Sequence, residues 1–421
     1  MRLFRLFAVV MLVGCGSERD DGGDADADAD SDADGDADTD SDADTDADTD
    51  TDADGDADGD DQSAVLYAAQ ELPLLEIELP PESVEALSSA PRTYVTGSLS
   101  YGGESVQNVG IRLRGADSFR TLDEKAAFKI KFDEFVEGQT FLGLRRMTLN
   151  NLVGDPSFVA ERITYQVFRA AGLPAPRCNN AIVTVNGDLF GVYANVETED
   201  KTFLRRWFES DDGNLYEGEE DDLYPGNEDL FDLETNELEN DRSDLVALIA
   251  AIDSAGPQTF MDDVASVLDI DELLRFAAVE GIMNAWDGYS HHDVDPSPHN
   301  YRLYDDPTTG QFHFIPWGTD KTLKPHGDET FLDVWHTNGL VLVRCLESTE
   351  CRDAYGEALE EMIGVFEEQG LVDLFDTFTA QIQPHVEDDP RREFDLGGYE
   401  WGRDVAREFL EGRSQDVRGA L

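Results

Sequence analysis

Asn284–Lys321 reads NAWDGYSHHDVDPSPHNYRLYDDPTTGQFHFIPWGTDK, and the rest of the chain is organised around it. An apolar, helix-like run, LLRFAAVEGIMNAW, leads into Asp287. NYRLY and FHFIPW are rich in aromatic and β-branched residues and flank the turn signal DDPTTG, so they read as a hairpin. Asn300 opens the first of these strands and Asp320 follows the second. Three acid or amide groups thus fall at a helix end, a strand start and a strand end. On spacing alone, such residues also serve as ordinary turn formers and loop acids.

Phosphoryl transfer needs one carboxylate to orient the attacking hydroxyl. It needs another, commonly with an Asn, to hold Mg²⁺ on the phosphates. Asp287, Asn300 and Asp320 occur in that order. The segment between them, Ser290–His299, holds His291, His292, Asp293, Asp295 and His299. The spacing of HHDVDPSPH matches no standard zinc arrangement. It reads as an extension of the loop after Asp287, with metal binding as the alternative.

Upstream, AAFKIKFDEF alternates strictly, with Phe128, Ile130 and Phe132 on one face and Lys129 and Lys131 on the other. Arg112 and Arg114 have the same relation in GIRLRG. A polar face is ordinary for a half-buried strand. Here it stands out, because 31 Lys and Arg face 93 Asp and Glu, a formal net charge of −62. A polyphosphate approaching so negative a chain needs a local cationic cluster. In GDPSFVAERITYQVFRAAGL, Asp155 or Ser157 can cap a helix and Pro156 suits its first position. Glu161 lies in that helix. Such an acid can pair with a phosphate-binding lysine, here Lys129 or Lys131, although the helix dipole alone also favours it. Asn186-Gly187 marks a two-residue hairpin. Strand signals dominate residues 65–200 and helix signals residues 201–421. The acidic stretch Glu217–Glu239 is expected to face solvent or ions.

WDGY, HNYRLY and FIPWGTD follow, in order, GIRLRGADSFR, KAAFKIKF, LNN, DPSFVAERITYQVFRAAGLPAPR and VNGDLFGVYANVE. Together they resemble the CotH kinase family, the spore-coat CotH-like atypical protein kinases. The resemblance runs from about Ile77 to Trp317 and beyond. It implies an α+β, two-lobed, atypical protein-kinase-like fold with a β-rich N-lobe and a mainly helical C-lobe. It implies ATP as donor, Mg²⁺ or Mn²⁺ as metal, and Ser or Thr of exported or surface proteins as acceptor. Asp287 would orient the acceptor, and Asn300 and Asp320 would hold the metal. Arg112, Arg114, Lys129 and Lys131 would contact phosphate, with Glu161 supporting them. One position departs from the pattern: many members read W-D-x-D where this chain reads Trp317-Gly318-Thr319-Asp320. That leaves a second class open, a kinase-like surface protein without turnover that binds Ca²⁺ or partners. No paired-carboxylate motif supports glycoside hydrolysis, and no nucleic-acid partner is expected.

The first residues, MRLFRLFAVVMLVGC, read as a secretory signal too short to span a bilayer. Leu12-Val13-Gly14-Cys15 resembles a lipobox, so Cys15 is the expected lipidation site and residues 1–15 the signal. Residues 16–62 form an Asp-rich tether. It holds 22 aspartates between Asp20 and Asp61, so 40 of the 62 excess negative charges lie elsewhere. Alternating Asp with Ala, Thr, Ser or Gly cannot bury apolar surface, so disorder is expected. Asp30–Gly35 begins like an EF-hand loop, but the twelfth position is Ser41, so only weak Ca²⁺ binding follows. The folded domain is placed at 63–421, exported and lipid-anchored to the cell envelope, with the anchor as its only membrane contact. In an exported chain, Cys345 and Cys351 are expected to pair, leaving Cys178 over.

Overall fold

The structure is a computed structural model that describes residues 61–218, 222–291, 298–325 and 331–421. The signal, Cys15, the tether up to residue 60, His292, Asp293 and Asp295 lie outside the described residues. Among the described residues, the Asp61 carboxylate accepts hydrogen bonds from Ser63 and pairs with Arg177.

Seven strands close into a barrel in the order β1-β2-β3-β4-β5-β7-β6. They are β1 Leu74–Glu78, β2 Val95–Tyr101, β3 Glu104–Arg114, β4 Ala127–Lys131, β5 Arg146–Asn150, β6 Cys178–Val185 and β7 Asp188–Val196. Every neighbouring pair is antiparallel except β1 with β6. Ile111, Leu113, Phe128, Ile130, Met147 and Leu149 supply the apolar face that packs together. The β6–β7 hairpin turns at Asn186 (φ 51°) and Gly187 (φ 81°), both in the left-handed region such a turn demands. The Asn186 carboxamide also bonds Leu79 N at 2.7 Å and Leu79 O at 3.0 Å, pinning the hairpin to the chain after β1. The alternation in β4 is as read, but its second face is not half-exposed. Lys129 is 8% and Lys131 3% exposed.

A helix, Ala160–Ala170, joins β5 to β6. Asp155 caps it, accepting Ala160 N at 2.8 Å through Oδ2, and Ser157 N at 2.8 Å through Oδ1. Pro156 therefore precedes the helix instead of opening it. A second antiparallel sheet has the order β11-β10-β8-β9: β8 Leu215–Gly218, β9 Asp232–Leu233, β10 Tyr301–Asp306 and β11 Gln311–Pro316. Helices Ile270–Met283, Thr349–Glu368, Leu371–Asp388 and Leu396–Ala420 share a core with that sheet. The last of these is 25 residues long. The architecture is α+β, a β-rich part followed by a mainly helical one. A buried pair ties the two: Lys125 Nζ lies 2.5 Å from Asp389 Oδ2. Cys345 and Cys351 are disulfide-bonded with their Cα atoms 5.5 Å apart, and Cys178 is a buried free thiol. Among the described residues no helix is long and apolar enough to cross a membrane.

Candidate active site

The Ile270–Met283 helix delivers Asp287. Asp269 starts it by accepting Glu272 N at 2.9 Å, and Asn284 ends it in the left-handed conformation at φ 58°. The Asn284 side chain then holds two passing segments, donating to Lys324 O at 2.7 Å and accepting Leu332 N at 2.7 Å. A helix end leaves carbonyls unsatisfied. Arg413, from the last helix, donates to two of them, Gly281 O at 2.6 Å and Ile282 O at 3.0 Å. Glu280 accepts Tyr289 N at 3.0 Å and Ser290 N at 2.8 Å, which fixes the loop carrying Asp287. Burial pushes the Glu280 carboxyl up to about 7. His291 is a core residue whose two ring nitrogens contact His336 O at 3.0 Å and Ala277 O at 3.3 Å. It does not form a metal cluster with the loop residues that are described.

Asp287 is well satisfied. Its Oδ2 accepts Asn300 Nδ2 at 3.0 Å and lies 2.9 Å from Lys321 Nζ. Asn300 Nδ2 also donates to the Asp287 carbonyl at 2.6 Å. Burial opposes the Lys321 charge, but the Asp287 carboxylate more than offsets this and raises the lysine above its ordinary range.

Asp320 sits in a short 3₁₀ turn, Thr319–Lys321, just past β11. No described residue donates a hydrogen bond to its carboxylate. Burial, reinforced by Asp287 and Asp155 against the pull of Lys324 and Lys321, pushes it up to about 6. The backbone opposite comes close: a Cβ on Gly154 would lie 2.1 Å from Asp320 Oδ2, so any larger residue there would displace this carboxylate. Glu161 is also buried and faces this acid. Its carboxylate accepts Asn150 Nδ2 at 2.9 and 3.2 Å, and Asn150 Oδ1 in turn accepts from Arg114. Burial first, then the Asp320 charge, raise Glu161 well above the carboxylate range. The expected pairing of Glu161 with Lys129 or Lys131 is not what forms. Those lysines register with Arg112 and Gly110 on β3, whereas Arg114, at the strand's end, reaches the helix through Asn150.

Arg112, Arg114 and Lys129 line one cavity, which Trp317 and Arg302 also border. Lys131 does not line it and lies 3.4 Å from Glu134. Glu217, expected at the surface, is buried in β8 with its Oε1 3.1 Å from Arg302 Nη2. Glu199 lies 3.6 Å from Arg302 Nε, and burial pushes it up to about 8. Trp317 has Arg114 at 5.1 Å and Arg302 at 5.6 Å from its ring. It also borders the small hollow beside Asp287, Gly318 and Lys321. A larger cleft of about 550 Å³, bordered by Asp133, Arg146, Asp200 and Asp244, contains neither Asp287 nor Asp320. Asp287 and Lys321 line one of the smaller hollows and Arg112, Arg114 and Lys129 the other, with Trp317 bordering both.

Gly318 takes φ 55°, and a Cβ there would lie 2.1 Å from Asn300 Oδ1. The sequence singled out Asp287, Asn300, Asp320 and the barrel cations as candidates but passed over Lys321, Glu280 and Arg413, which the structure places beside Asp287 or the helix end that carries it. Glu280 did carry a signal, as the one acid in an apolar stretch of LLRFAAVEGIM, where burial requires a hydrogen-bond partner. Arg413, far away in sequence, carried none.

Over 303 residues the chain is 27% identical to the inner spore coat protein H of Bacillus subtilis (strain 168), covering 68% of this chain and 81% of that protein. Over 74 residues it is 34% identical to an inner spore coat protein H-like protein of the same organism, covering 18% and 22% of the two chains. Among solved structures it aligns with the Shewanella oneidensis MR-1 toxin–antitoxin HipA–HipB–operator DNA complex. The TM-score is 0.34 at 11% identity, over 82% of this chain and 74% of that one. It also aligns with the Helicobacter pylori proinflammatory kinase CtkA, at TM-score 0.30 and 9% identity, over 73% and 94%. The family described as CotH kinase protein matches residues 111–417, so the chain belongs to that family, which in general implies ATP and a divalent metal.

Proposed function

We propose that the protein is an atypical protein kinase that transfers phosphate from ATP to Ser or Thr of exported or surface proteins. The observation that carries the reading is the contrast of two neighbouring acids. Asp287 is held by Asn300 and Lys321, whereas Asp320 accepts no hydrogen bond from the described residues and feels Lys324 and Lys321 only through their charge. A satisfied carboxylate is suited to orienting a hydroxyl. An under-neutralised one, crowded by Asp155 and Glu161, is suited to a cation. The donor set therefore fits Mg²⁺ or Mn²⁺, with Asp320 and the Oδ1 of Asn300 as the groups that would hold it. Bound there, the metal would neutralise phosphate charge.

The chain's own residues supply the rest. Asp287 Oδ2 is taken by Asn300 and Lys321, which leaves Oδ1 to accept the proton of an acceptor hydroxyl. Lys321 stands between the two acids as a fixed positive charge. Arg112, Arg114 and Lys129 present a second cationic surface in the adjoining cavity, bordered by the aromatic face of Trp317. Lys131, 3.4 Å from Glu134, does not line this cavity.

Export and lipid anchoring through Cys15, with the Asp-rich run as tether and weak Ca²⁺ binder, complete the proposal. Cys15→Ala should move the protein to the soluble fraction. The central test is label transfer from γ-labelled ATP to the protein itself or a generic acceptor, with Asp287→Ala as control. Transfer that is lost in the control supports the kinase. Absence of nucleotide binding at millimolar Mg²⁺ or Mn²⁺ would overturn it in favour of a kinase-like surface protein.

A further inference from the structure

A second cluster of ligating groups lies at the opposite ends of the two elements that deliver Asp287 and Asp320. Asp269 and Glu272 stand at i and i+3 on the first turn of the Ile270–Met283 helix, and His313 stands in β11. One ligating atom from each lies within 4.8 Å of the others. His313 is 8% exposed, with Nδ1 2.9 Å from Glu272 Oε1 and a buried Nε2 that meets no hydrogen-bond partner. Asp306, Asp305 and Asp269 surround the ring with further negative charge. Metal–ligand distances of about 2.0–2.2 Å put ligands roughly 3–4 Å apart, so small side-chain rotations would close this triad on an ion.

We propose that Asp269, Glu272 and His313 form a structural site for a borderline transition-metal ion, Zn²⁺ above all. One imidazole with two carboxylates is a mixed N/O set, which favours such ions over the all-oxygen preference of Mg²⁺ and Ca²⁺. The backbone already joins these elements, through Asp269 N to Phe312 O at 3.2 Å and Phe312 N to Val267 O at 2.8 Å. The metal would clamp the start of the helix to the start of the strand. Asp287 lies beyond the far end of a 14-residue helix, so the clamp is roughly 20 Å from the proposed catalytic acids. It would set the register of both elements without touching substrate.

The test uses the full chain stripped of metal, with a large excess of Ca²⁺ to occupy the Asp-rich run, and Zn²⁺ as probe. Zn²⁺ should raise the melting temperature by about 3 °C or more. Asp320→Ala should keep that shift. His313→Gln and Glu272→Gln should abolish it and weaken Zn²⁺ binding by about 100-fold or more, exceeding the usual loss of an outer-shell partner. A shift that survives both substitutions, or none in the unaltered chain, overturns the proposal. Anomalous scattering at the zinc edge from unaltered crystals decides the matter even if the variants fail to fold. A peak among the three side chains supports the site, and peaks only elsewhere overturn it.

Discussion

The Asp287 loop and the Asp320 turn are neighbours built from opposite principles. Asp287 follows a helix end fixed from several directions, by Glu280, Asn284 and Arg413, and its own carboxylate has an amide and an ammonium partner. Asp320 sits on a three-residue turn, accepts no hydrogen bond from the described residues, and is raised by burial and by Asp287 and Asp155 against Lys324 and Lys321. The first region is preorganised in the apo protein. The second stores unfavourable charge that only a proton or a cation relieves. The difference teaches where affinity and where turnover should reside: in the unsatisfied acid and the satisfied one respectively.

The largest expected effect comes from Asp320→Ala. It should abolish metal-dependent nucleotide binding in calorimetry while making the apo protein more stable to heat, by on the order of 1 kcal/mol, because a penalised carboxylate is removed. Loss of both binding and stability would mean that Asp320 is an ordinary structural acid. Asp287→Asn should leave nucleotide affinity within a few-fold and reduce turnover by about 10²–10⁴. Equal losses in affinity and rate would erase the division between the two acids.

A pH titration sharpens the same contrast. The folded-state value of Asp320, about 6, lies above that of the unfolded chain. Between the two values the native state binds the extra proton. The Asp320 contribution to apo stability is therefore fully present at low pH and lost as pH rises through about 6. Metal affinity runs the other way, because the proton competes. It should weaken by about tenfold per pH unit below about 6. Metal titrations at several pH values, with Asp320→Ala as reference, check both signs. A pH-independent metal affinity between 5 and 7 would contradict the stored charge.

Much of this was legible in the sequence, for local reasons. The alternation in AAFKIKF, the Asn186-Gly187 turn and the hairpin around DDPTTG follow from side-chain period and turn chemistry, and all appear in the structure. The barrel's closure did not, because pairing β1 with β6 in parallel is a long-range choice. Nor did the burial of Lys129, Lys131 and Glu217, which depends on what covers a strand's second face. The pairing of Glu161 was misjudged for the same reason. Sequence spacing places an acid on a helix, but only the strand register decides that Arg114, through Asn150, is the cation it meets.

The smallest effect expected is also the most diagnostic. The resemblance noted in the sequence sets Asp where this chain has Gly318, so Gly318→Asp invites the reading of a restored metal ligand. The geometry argues for loss. At φ 55° a non-glycine residue costs about 1–2 kcal/mol. Its Cβ would sit 2.1 Å from Asn300 Oδ1, so the amide must retreat. Retreat takes Nδ2 away from both the carbonyl and the carboxylate of Asp287, at 2.6 and 3.0 Å. Lys321 remains, so Asp287 is loosened, not freed. Turnover should fall by about five- to tenfold and metal-dependent nucleotide affinity should weaken with it, since the displaced amide carries both the contact to Asp287 and the Oδ1 proposed to hold the metal. Gly318→Ala should give most of the same loss, because the steric conflict begins at Cβ and not at the carboxylate. Adding Asn300→Ala should lower turnover further, because it also removes the Oδ1 proposed to hold the metal. A Gly318→Asp variant faster than the parent would show that the Asn300–Asp287 contact is expendable and that the missing acid is the stronger metal ligand.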